Sequence, residues 1–117
     1  MNPNKVVSFL NPRRFPLHSE TALQDAMFEE LKKGGFRPQR EVRLSKSDVI
    51  DLVVGDVGIE CKVKKNWSKN EILKQLERYC AHRRIRSIIL ATNIPMALPL
   101  WIQNKPAHFL NLARTWL

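Results

Sequence analysis

Cysteine is scarce in this chain, which contains only Cys61 and Cys80. Two cysteines cannot build a framework of several disulfides, and neither lies in a C-x-x-C or Cys/His spacing typical of a metal site. Both fall at positions where the surrounding pattern is apolar. We therefore expect two buried, reduced thiols and a cytoplasmic protein.

Long apolar runs are also missing. No segment approaches the roughly 20 consecutive apolar residues that cross a bilayer as a helix. The early run "VVSFL", residues 6–10, is too short for the apolar region of a signal peptide. These absences predict a soluble protein that is not secreted and has no membrane-spanning segment.

Acidic residues are few relative to basic ones. There are 11 Asp and Glu against 20 Lys and Arg, which gives a net charge of +9 and a pI near 10.1. Such a balance favours a polyanionic partner, with nucleic acid first and an anionic membrane surface second. A basic protein without such a partner can have the same composition, so the charge alone does not decide the function.

The prolines and the charge divide the chain into two parts. Residues 1–17 contain three prolines and the pair Arg13-Arg14, which together predict an extended basic N-terminal arm with a short strand at "KVVSFL". Residues 18–117 have the size of one ordinary domain. We find no internal repeat and no linker within them.

Two stretches have the apolar spacing and the end signals of helices. In "HSETALQDAMFEELKKGGF" the N-cap is Ser19 or Thr21, and the Gly-Gly pair ends the helix. In "NWSKNEILKQLERYCAHRR" Ser68 and Glu71 have the spacing of a capping box.

The remaining segments have strand patterns. "QREVRLS" alternates, "DVIDLVV" is nearly all apolar, and "GDVG" is typical of a tight turn into "GIECKVKK". "IRSIILATN" predicts a further strand and "AHFLNLARTW" a last one. The order α-β-β-β-α-β, with the final strand added, predicts an α/β domain whose central mixed sheet is flanked by helices.

One charged residue interrupts the apolar strand, since Asp51 lies within "VIDLVV". Burying a carboxylate is costly unless another group pairs with it. On the next strand Glu60 and Lys62 share one face, and Ile59 and Cys61 share the other, because alternate side chains point to opposite faces. A hairpin between the two strands is expected to bring Asp51, Glu60 and Lys62 together.

Two carboxylates at that distance repel each other, and a bound divalent cation removes the conflict. Oxygen ligands favour Mg²⁺, with Mn²⁺ as a substitute. Lys62 then adds a cation that orients or helps to deprotonate an attacking water, or stabilises charge on a phosphate. The alternatives are a solvated strand face for Glu60 and Lys62, and a structural pair with an arginine for Asp51.

Two further polar residues lie on the apolar sides of the predicted helices. Glu20 precedes Leu23 by three positions, and Gln75 is flanked by Ile72 and Tyr79. A carboxylate there suits a second metal ion or a bound water, and an amide suits a hydrogen bond to the water or to the lysine. Glu20 equally suits the N-terminal end of a helix, and Gln75 equally suits the surface.

With these residues the chain resembles the PD-(D/E)XK superfamily of nucleases, which has the restriction-endonuclease-like fold. The matching residues are Asp51 in "VIDLVV" and Glu60 and Lys62 in "IECK". Glu20 and Gln75 match the accessory positions of the family on the helices before and after these strands. The layout is similar to that of small archaeal-type Holliday-junction resolvases and of stand-alone nucleases from phages and mobile elements.

The resemblance covers residues 18–93 and implies roles for its residues. Asp51 and Glu60 would bind Mg²⁺ together with the main-chain carbonyl of Cys61, and Lys62 would be the catalytic lysine. The fold implied is the restriction-endonuclease-like core, whose element order is the one predicted above.

The chain departs from the family pattern at one position, because Ile50 stands where proline often precedes the aspartate. Asp48 is a rival for the aspartate position because it lies next to the start of the strand. Asp51 is preferred because its separation from Glu60 suits a tight hairpin.

The resulting hypothesis is a divalent-metal-dependent DNA endonuclease that hydrolyses phosphodiester bonds by metal-activated water. No Ser or Tyr nucleophile lies within the motif, so no covalent intermediate is expected. A homodimer is expected because cutting two strands takes two active sites. The alternatives are a structure-selective Holliday-junction resolvase and a non-catalytic DNA-binding module on the same fold.

Several side chains are candidates for contacts with DNA. Lysines directly after the active strand suit phosphates that flank the scissile one. Trp67 suits stacking on a base or wedging into a distorted duplex, with packing onto the core as the alternative. The candidates are Lys64, Lys65, Trp67, Lys69, Arg40 and Arg43.

Overall fold

The computed structural model describes residues 1–64 and 67–113. Within these ranges it contains three helices and six strands. The helices are α1 (Pro3–Leu10), α2 (Glu20–Lys33) and α3 (Lys69–Cys80), and the strands are β1 (Pro38–Arg43), β2 (Val49–Val54), β3 (Val57–Lys62), β4 (Ser87–Thr92), β5 (Trp101–Ile102) and β6 (Lys105–Asn111). None of the described helices is long and apolar enough to cross a membrane.

The six strands form one mixed sheet in the order β1-β2-β3-β4-β6-β5. The strands β1, β2 and β3 pair antiparallel, whereas β3, β4 and β6 pair parallel. From α2 to β4 the chain follows the predicted α-β-β-β-α-β order, which confirms an α/β protein with a mixed sheet. The last predicted strand corresponds to β6 as far as Asn111, and its end from residue 114 lies outside the described residues.

The hairpin between β2 and β3 has the expected two-residue turn. Val54 pairs with Val57, and Gly55 and Asp56 close the turn between them. Gly55 has φ of 63°, a left-handed conformation that glycine adopts without steric cost. This turn sets the register that places Asp51 beside Glu60.

Side-chain caps start the two predicted helices. The Ser19 hydroxyl accepts the Ala22 N–H at 3.0 Å, so Ser19 rather than Thr21 is the N-cap of α2. Ser68 and Glu71 form both hydrogen bonds of the predicted capping box at the start of α3. These caps fix where each helix meets the carboxyl edge of β3.

Each face of the sheet is covered by its own helices. The face toward α1 and α2 buries the cluster Val6, Leu10, Leu23, Met27, Leu31, Leu52, Val54, Val57, Ile59, Cys61, Val63, Ile89, Ala91, Leu110 and Leu112. The face toward α3 buries Ile50, Val53, Ile72, Leu76, Tyr79, Cys80, Ile85, Ile88, Leu90, Ile94, Ile102 and Ala107. Both cysteines are free and buried, as predicted.

The N-terminal arm differs from its prediction, since "KVVSFL" belongs to helix α1 and the expected strand is wrong. The Asn2 side chain accepts the Asn4 N–H, and Pro3 occupies the first helical position, where proline is favourable. Val6 and Leu10, one helical turn apart, are fully buried. The apolar spacing of four outweighs the strand propensity of the two adjacent valines.

Phe9 of α1 packs against the end of α2. Its ring meets the Phe36 ring edge to face at 5.2 Å between centroids, and a Cβ atom added at Gly34 would overlap it. We expect Gly34→Ala to lower the free energy of unfolding by about 1–3 kcal/mol, because overpacking forces the ring to move. Denaturant titrations measure this loss.

A double-mutant cycle separates this clash from a general helix effect. Phe9→Leu removes the ring that the added methyl group meets, so Gly34→Ala should cost clearly less in the Phe9→Leu background. Equal costs in both backgrounds would contradict the docking of α1 against α2.

Candidate active site

Asp51 and Glu60 lie where the ladder between β2 and β3 opens. The antiparallel pairs run from Val54 and Val57 to Leu52 and Ile59 and stop there. Beyond that point main-chain N–H groups donate hydrogen bonds to the Asp51 and Glu60 carboxylates. Asp51 Oδ2 accepts the Cys61 N–H at 2.8 Å, and Glu60 Oε1 accepts the Asp51 N–H at 3.4 Å.

Strand β2 rotates about its own axis at Asp51. Ile50 and Leu52 are two residues apart, yet Ile50 packs toward α3 and Leu52 toward α2. A regular strand would place both on one face. Glu41, which lies between the paired residues Arg40 and Val42 of β1, has φ of 49°, so β1 and β2 are both irregular here. The rotation turns the Asp51 carboxylate toward β3.

Lys62 forms a buried ion pair with Glu60. Its Nζ lies 3.0 Å from Glu60 Oε2, and the two side chains are 4% and 2% exposed. The same Nζ lies 4.0 Å from the centroid of the Trp67 ring, within the range of a cation–π contact. The structure thus brings together the three residues that the sequence predicted to converge, and we call them the acid–lysine cluster.

The cluster contains two carboxyl groups and only one lysine. Burial, followed by the charge of Asp51, raises the pKa of Glu60 to about 8. Burial also raises the pKa of Asp51, although the Cys61 N–H and the charge of Lys62 act in the opposite direction. One lysine does not compensate two carboxylates in this environment, and a divalent cation would.

Glu20 reaches the cluster from the first position of α2. Its Oε2 accepts the Trp67 indole N–H at 2.8 Å and the Val63 N–H at 3.3 Å. Its negative charge contributes to the raised pKa of Asp51. Glu20 therefore ties the segment after β3 to α2 at the edge of the cluster.

Gln75 lies next to Tyr79 rather than against the acid–lysine cluster. Its Nε2 donates to the Tyr79 hydroxyl at 2.8 Å, and that hydroxyl donates to the Val49 carbonyl at 3.0 Å. No hydrogen bond joins Gln75 to Lys62 among the described residues. Its predicted contact with the lysine is therefore not found in this structure.

Tyr79 faces the cluster, and the sequence analysis assigned it only to the apolar stripe of α3. Burial, then the charges of Glu60 and Asp51, raise its pKa well above the ordinary tyrosine value. A tyrosine on an apolar stripe was the available signal, because a buried phenol usually needs a hydrogen-bond partner.

Asp48, the rival aspartate, has its own partners at the start of β2. Arg78 Nε lies 3.1 Å from Oδ1 and His82 Nε2 lies 3.0 Å from Oδ2. The hydrogen bond from His82, with further help from Arg78, lowers the pKa of Asp48. Asp48 is therefore paired with Arg78 and His82 rather than with the residues of the acid–lysine cluster.

We expect Asp48→Asn to weaken the fold at neutral pH. A lowered carboxyl pKa contributes stability above the ordinary value of 3.8 that is lost as the pH falls through the folded value. Urea unfolding at neutral pH should show a loss of about 1–3 kcal/mol. The difference from the parent should shrink below pH 3.8, and a constant difference at all pH values would contradict this account.

The candidate DNA contacts divide into two groups. Lys64, Trp67 and Lys69 are exposed, and the Trp67 ring also lies over Lys62. Arg40 instead pairs with Asp25 of α2, and Arg43 donates to two carbonyls of the following turn, so neither is brought to the cluster. Lys65 lies outside the described residues.

The donor set at the cluster fits a small oxygen-preferring cation. Within residues 1–64 and 67–113, no group of three or more His, Cys, Asp or Glu side chains is arranged to hold a metal ion. A site made of the Asp51 and Glu60 carboxylates, the Cys61 carbonyl and water needs no third such side chain. The raised pKa values of both acids are consistent with a position for positive charge.

Comparisons of the chain with protein-family models, with curated proteins and with solved structures gave no match.

Proposed function

We propose that this chain is a divalent-metal-dependent DNA endonuclease with a PD-(D/E)XK-type active site. The observation that carries the proposal is the acid–lysine cluster. In it Lys62 Nζ lies 3.0 Å from Glu60 Oε2, and Asp51 accepts a hydrogen bond from a main-chain N–H of β3, the strand that bears both residues. Burying two carboxyl groups with only one lysine as partner, at a point where main-chain pairing between β2 and β3 stops, is costly for a residue set with a purely structural role. Enzymes that hydrolyse phosphodiester bonds use carboxylates to hold the metal ion and a cation to stabilise phosphate charge.

In this proposal each residue of the cluster has one role. Asp51 and Glu60, with the Cys61 carbonyl, would hold Mg²⁺ or Mn²⁺. The cation, when bound, supplies Lewis acidity toward water and neutralises phosphate charge. Lys62 stabilises the negative charge that develops on the phosphate, and the indole above it limits its access to water.

The outer residues position the cluster. Glu20 fixes the Trp67 indole by a hydrogen bond, and Trp67 covers the Lys62 ammonium. Gln75 orients the Tyr79 hydroxyl, which anchors α3 to β2. The restriction-endonuclease-like fold belongs to the same proposal, and the α-β-β-β-α-β order with its mixed sheet supports it.

DNA is the proposed substrate because the chain has a net charge of +9 and exposes lysines beside the cluster. Nonspecific binding to nucleic acid depends on such cations. A homodimer is proposed because one cluster cuts one strand, and a duplex has two.

A cleavage assay on three DNA substrates tests the proposal. We expect supercoiled plasmid and linear duplex to be cut with Mg²⁺ or Mn²⁺ and to stay intact with EDTA. Cleavage confined to a synthetic four-way junction would assign the chain as a Holliday-junction resolvase instead. Binding of all three substrates without any metal-dependent cleavage would refute catalysis and leave a DNA-binding module.

A further inference from the structure

A positively charged cavity lies at the opposite end of the parallel strands from the acid–lysine cluster. Its volume is about 570 Å³, and we call it the basic cavity. It lies between the turn that follows α3 and the β5–β6 hairpin, near the amino ends of β4 and β6. Its lining residues are Arg83, Arg86, Gln103, Asn104, Lys105 and Pro106.

The cations of this cavity lack acidic partners. No acidic residue lines it, and neither Arg83 nor Arg86 forms a side-chain ion pair within residues 1–64 and 67–113. Lys105 Nζ donates to the His82 carbonyl at 2.9 Å, a neutral acceptor that leaves the charge uncompensated. Three such cations around one cavity repel each other, and an anion between them would relieve that repulsion.

The carboxylate of Asp56 is engaged outside the cavity. The Arg86 N–H donates to the Asp56 main-chain carbonyl, which brings the β2–β3 turn close to the cavity. The Asp56 carboxylate, however, lies 3.3 Å from the N-terminal ammonium of Met1. It is therefore not directed to the arginines.

Two further depressions lead from the basic cavity along α3 to Trp67, the residue whose ring lies over Lys62. A depression of about 440 Å³ shares Gln103 with the basic cavity, and its other lining residues are Lys74, Glu77, Arg78 and Ala81. A third depression, of about 250 Å³, shares Lys74 and Arg78 with the second, and its other lining residues are Trp67, Glu71 and Gln75. The three depressions therefore follow one another along the helix.

The length of this path suits a nucleic-acid strand. Helix α3 has 12 residues and so spans roughly 18 Å. Backbone phosphates of a duplex strand recur about every 3.4 Å along its axis, so the path corresponds to roughly five nucleotides.

We propose that the basic cavity binds a backbone phosphate of the nucleic-acid substrate several nucleotides away from the bond that is cut. The inference rests on the proposed function, because it assumes a nucleic-acid substrate. Arg83 and Arg86 supply planar guanidinium groups that bind phosphate with two parallel hydrogen bonds. The path along α3 favours a polymer over a free anion.

The test compares two charge-matched double variants in a DNA-binding assay without divalent metal. Arg83→Gln/Arg86→Gln removes two cations of the cavity, and Lys5→Gln/Lys46→Gln removes two exposed cations elsewhere. Fluorescence anisotropy with a duplex of about 20 base pairs measures affinity against salt. We expect the arginine variant to bind about tenfold more weakly, with its salt slope reduced by about one because one phosphate contact is lost, and the lysine control to change much less.

Three results would overturn the inference: equal behaviour of the two double variants, no DNA binding by the parent protein, or weaker binding of inorganic phosphate with DNA binding unchanged. The last of these would assign the cavity to a free anion.

Kinetics separate this inference from the proposed function. At saturating DNA the arginine variant should cut at the parental rate, with a raised KM. Absence of cleavage by the parent protein would refute the proposed nuclease activity. The binding assay would still show whether the basic cavity binds DNA phosphate.

Discussion

Glu60→Gln is expected to stabilise the protein above pH 8 while abolishing DNA cleavage. Burial and the charge of Asp51 raise the pKa of Glu60 from its ordinary 4.5 to about 8. Between these values the folded state holds a proton that the unfolded state releases, so stability falls as the pH rises through this window. A glutamine keeps the shape and the acceptor oxygen without the charge.

The size of the effect follows from the shift. We expect a gain in unfolding free energy on the order of a few kcal/mol above pH 8, measured by urea titration across the window. Below pH 4.5 the parent and the variant should converge, because Glu60 is then protonated in both folded and unfolded states. Glu29→Gln, at an exposed position of α2, is the matched control and should show no such dependence.

The same variant tests the metal site without any assay of activity. Mg²⁺ or Mn²⁺ should raise the melting temperature of the parent protein above pH 8, since binding to the folded state stabilises it. The Glu60→Gln variant should respond much less. A variant less stable than the parent at every pH would contradict the account, because Glu60 would then be a net stabilising partner of Lys62.

Lys62→Ala is expected to lower the cleavage rate about a thousandfold while DNA binding stays within about threefold of the parent. The ammonium lies beside the position where phosphate charge would develop, and a buried side chain contributes little to the initial binding of DNA. Lys64→Ala removes an exposed lysine two residues later and should change binding more than rate. Steady-state kinetics on a labelled duplex separate the two effects.

Lys62→Arg adds a test of geometry. Arginine keeps the charge but is larger and planar, so it should not restore the rate in a site that buries a compact ammonium between Glu60 and Trp67. Full cleavage in Lys62→Ala would refute the role of this lysine.

Local signals predicted much of the fold. Ser68 and Glu71 marked the start of α3, and Gly55 with Asp56 marked the hairpin, because both motifs act within a few residues. The prediction of an extended N-terminal arm was wrong for residues 3–10, which form α1. The prolines were interpreted as a sign of extended chain, although Pro3 is typical of the first helical position.

Within the candidate site, the sequence predicted which side chains share a face only where the alternation of side chains along a strand determines it. Glu60 and Lys62 are two residues apart on one strand, so their shared face followed from the sequence. The bond from Trp67 to Glu20 joins residues 47 positions apart, and no local pattern indicates it.

The partner of Arg40 was also not predictable from local sequence. It was predicted to contact DNA because it is basic, yet it pairs with Asp25 across the packing of α2 on β1. Partners that depend on tertiary packing are not encoded in any short segment.

The most direct test of the central claim is the nicking of supercoiled plasmid by the parent protein and by Asp51→Asn, purified identically and assayed with Mn²⁺. The account predicts nicking by the parent that EDTA abolishes, and none by Asp51→Asn, because that substitution removes one carboxylate of the cluster while keeping its shape. Equal nicking by both proteins, or nicking that persists in EDTA, would show that the acid–lysine cluster does not cut DNA.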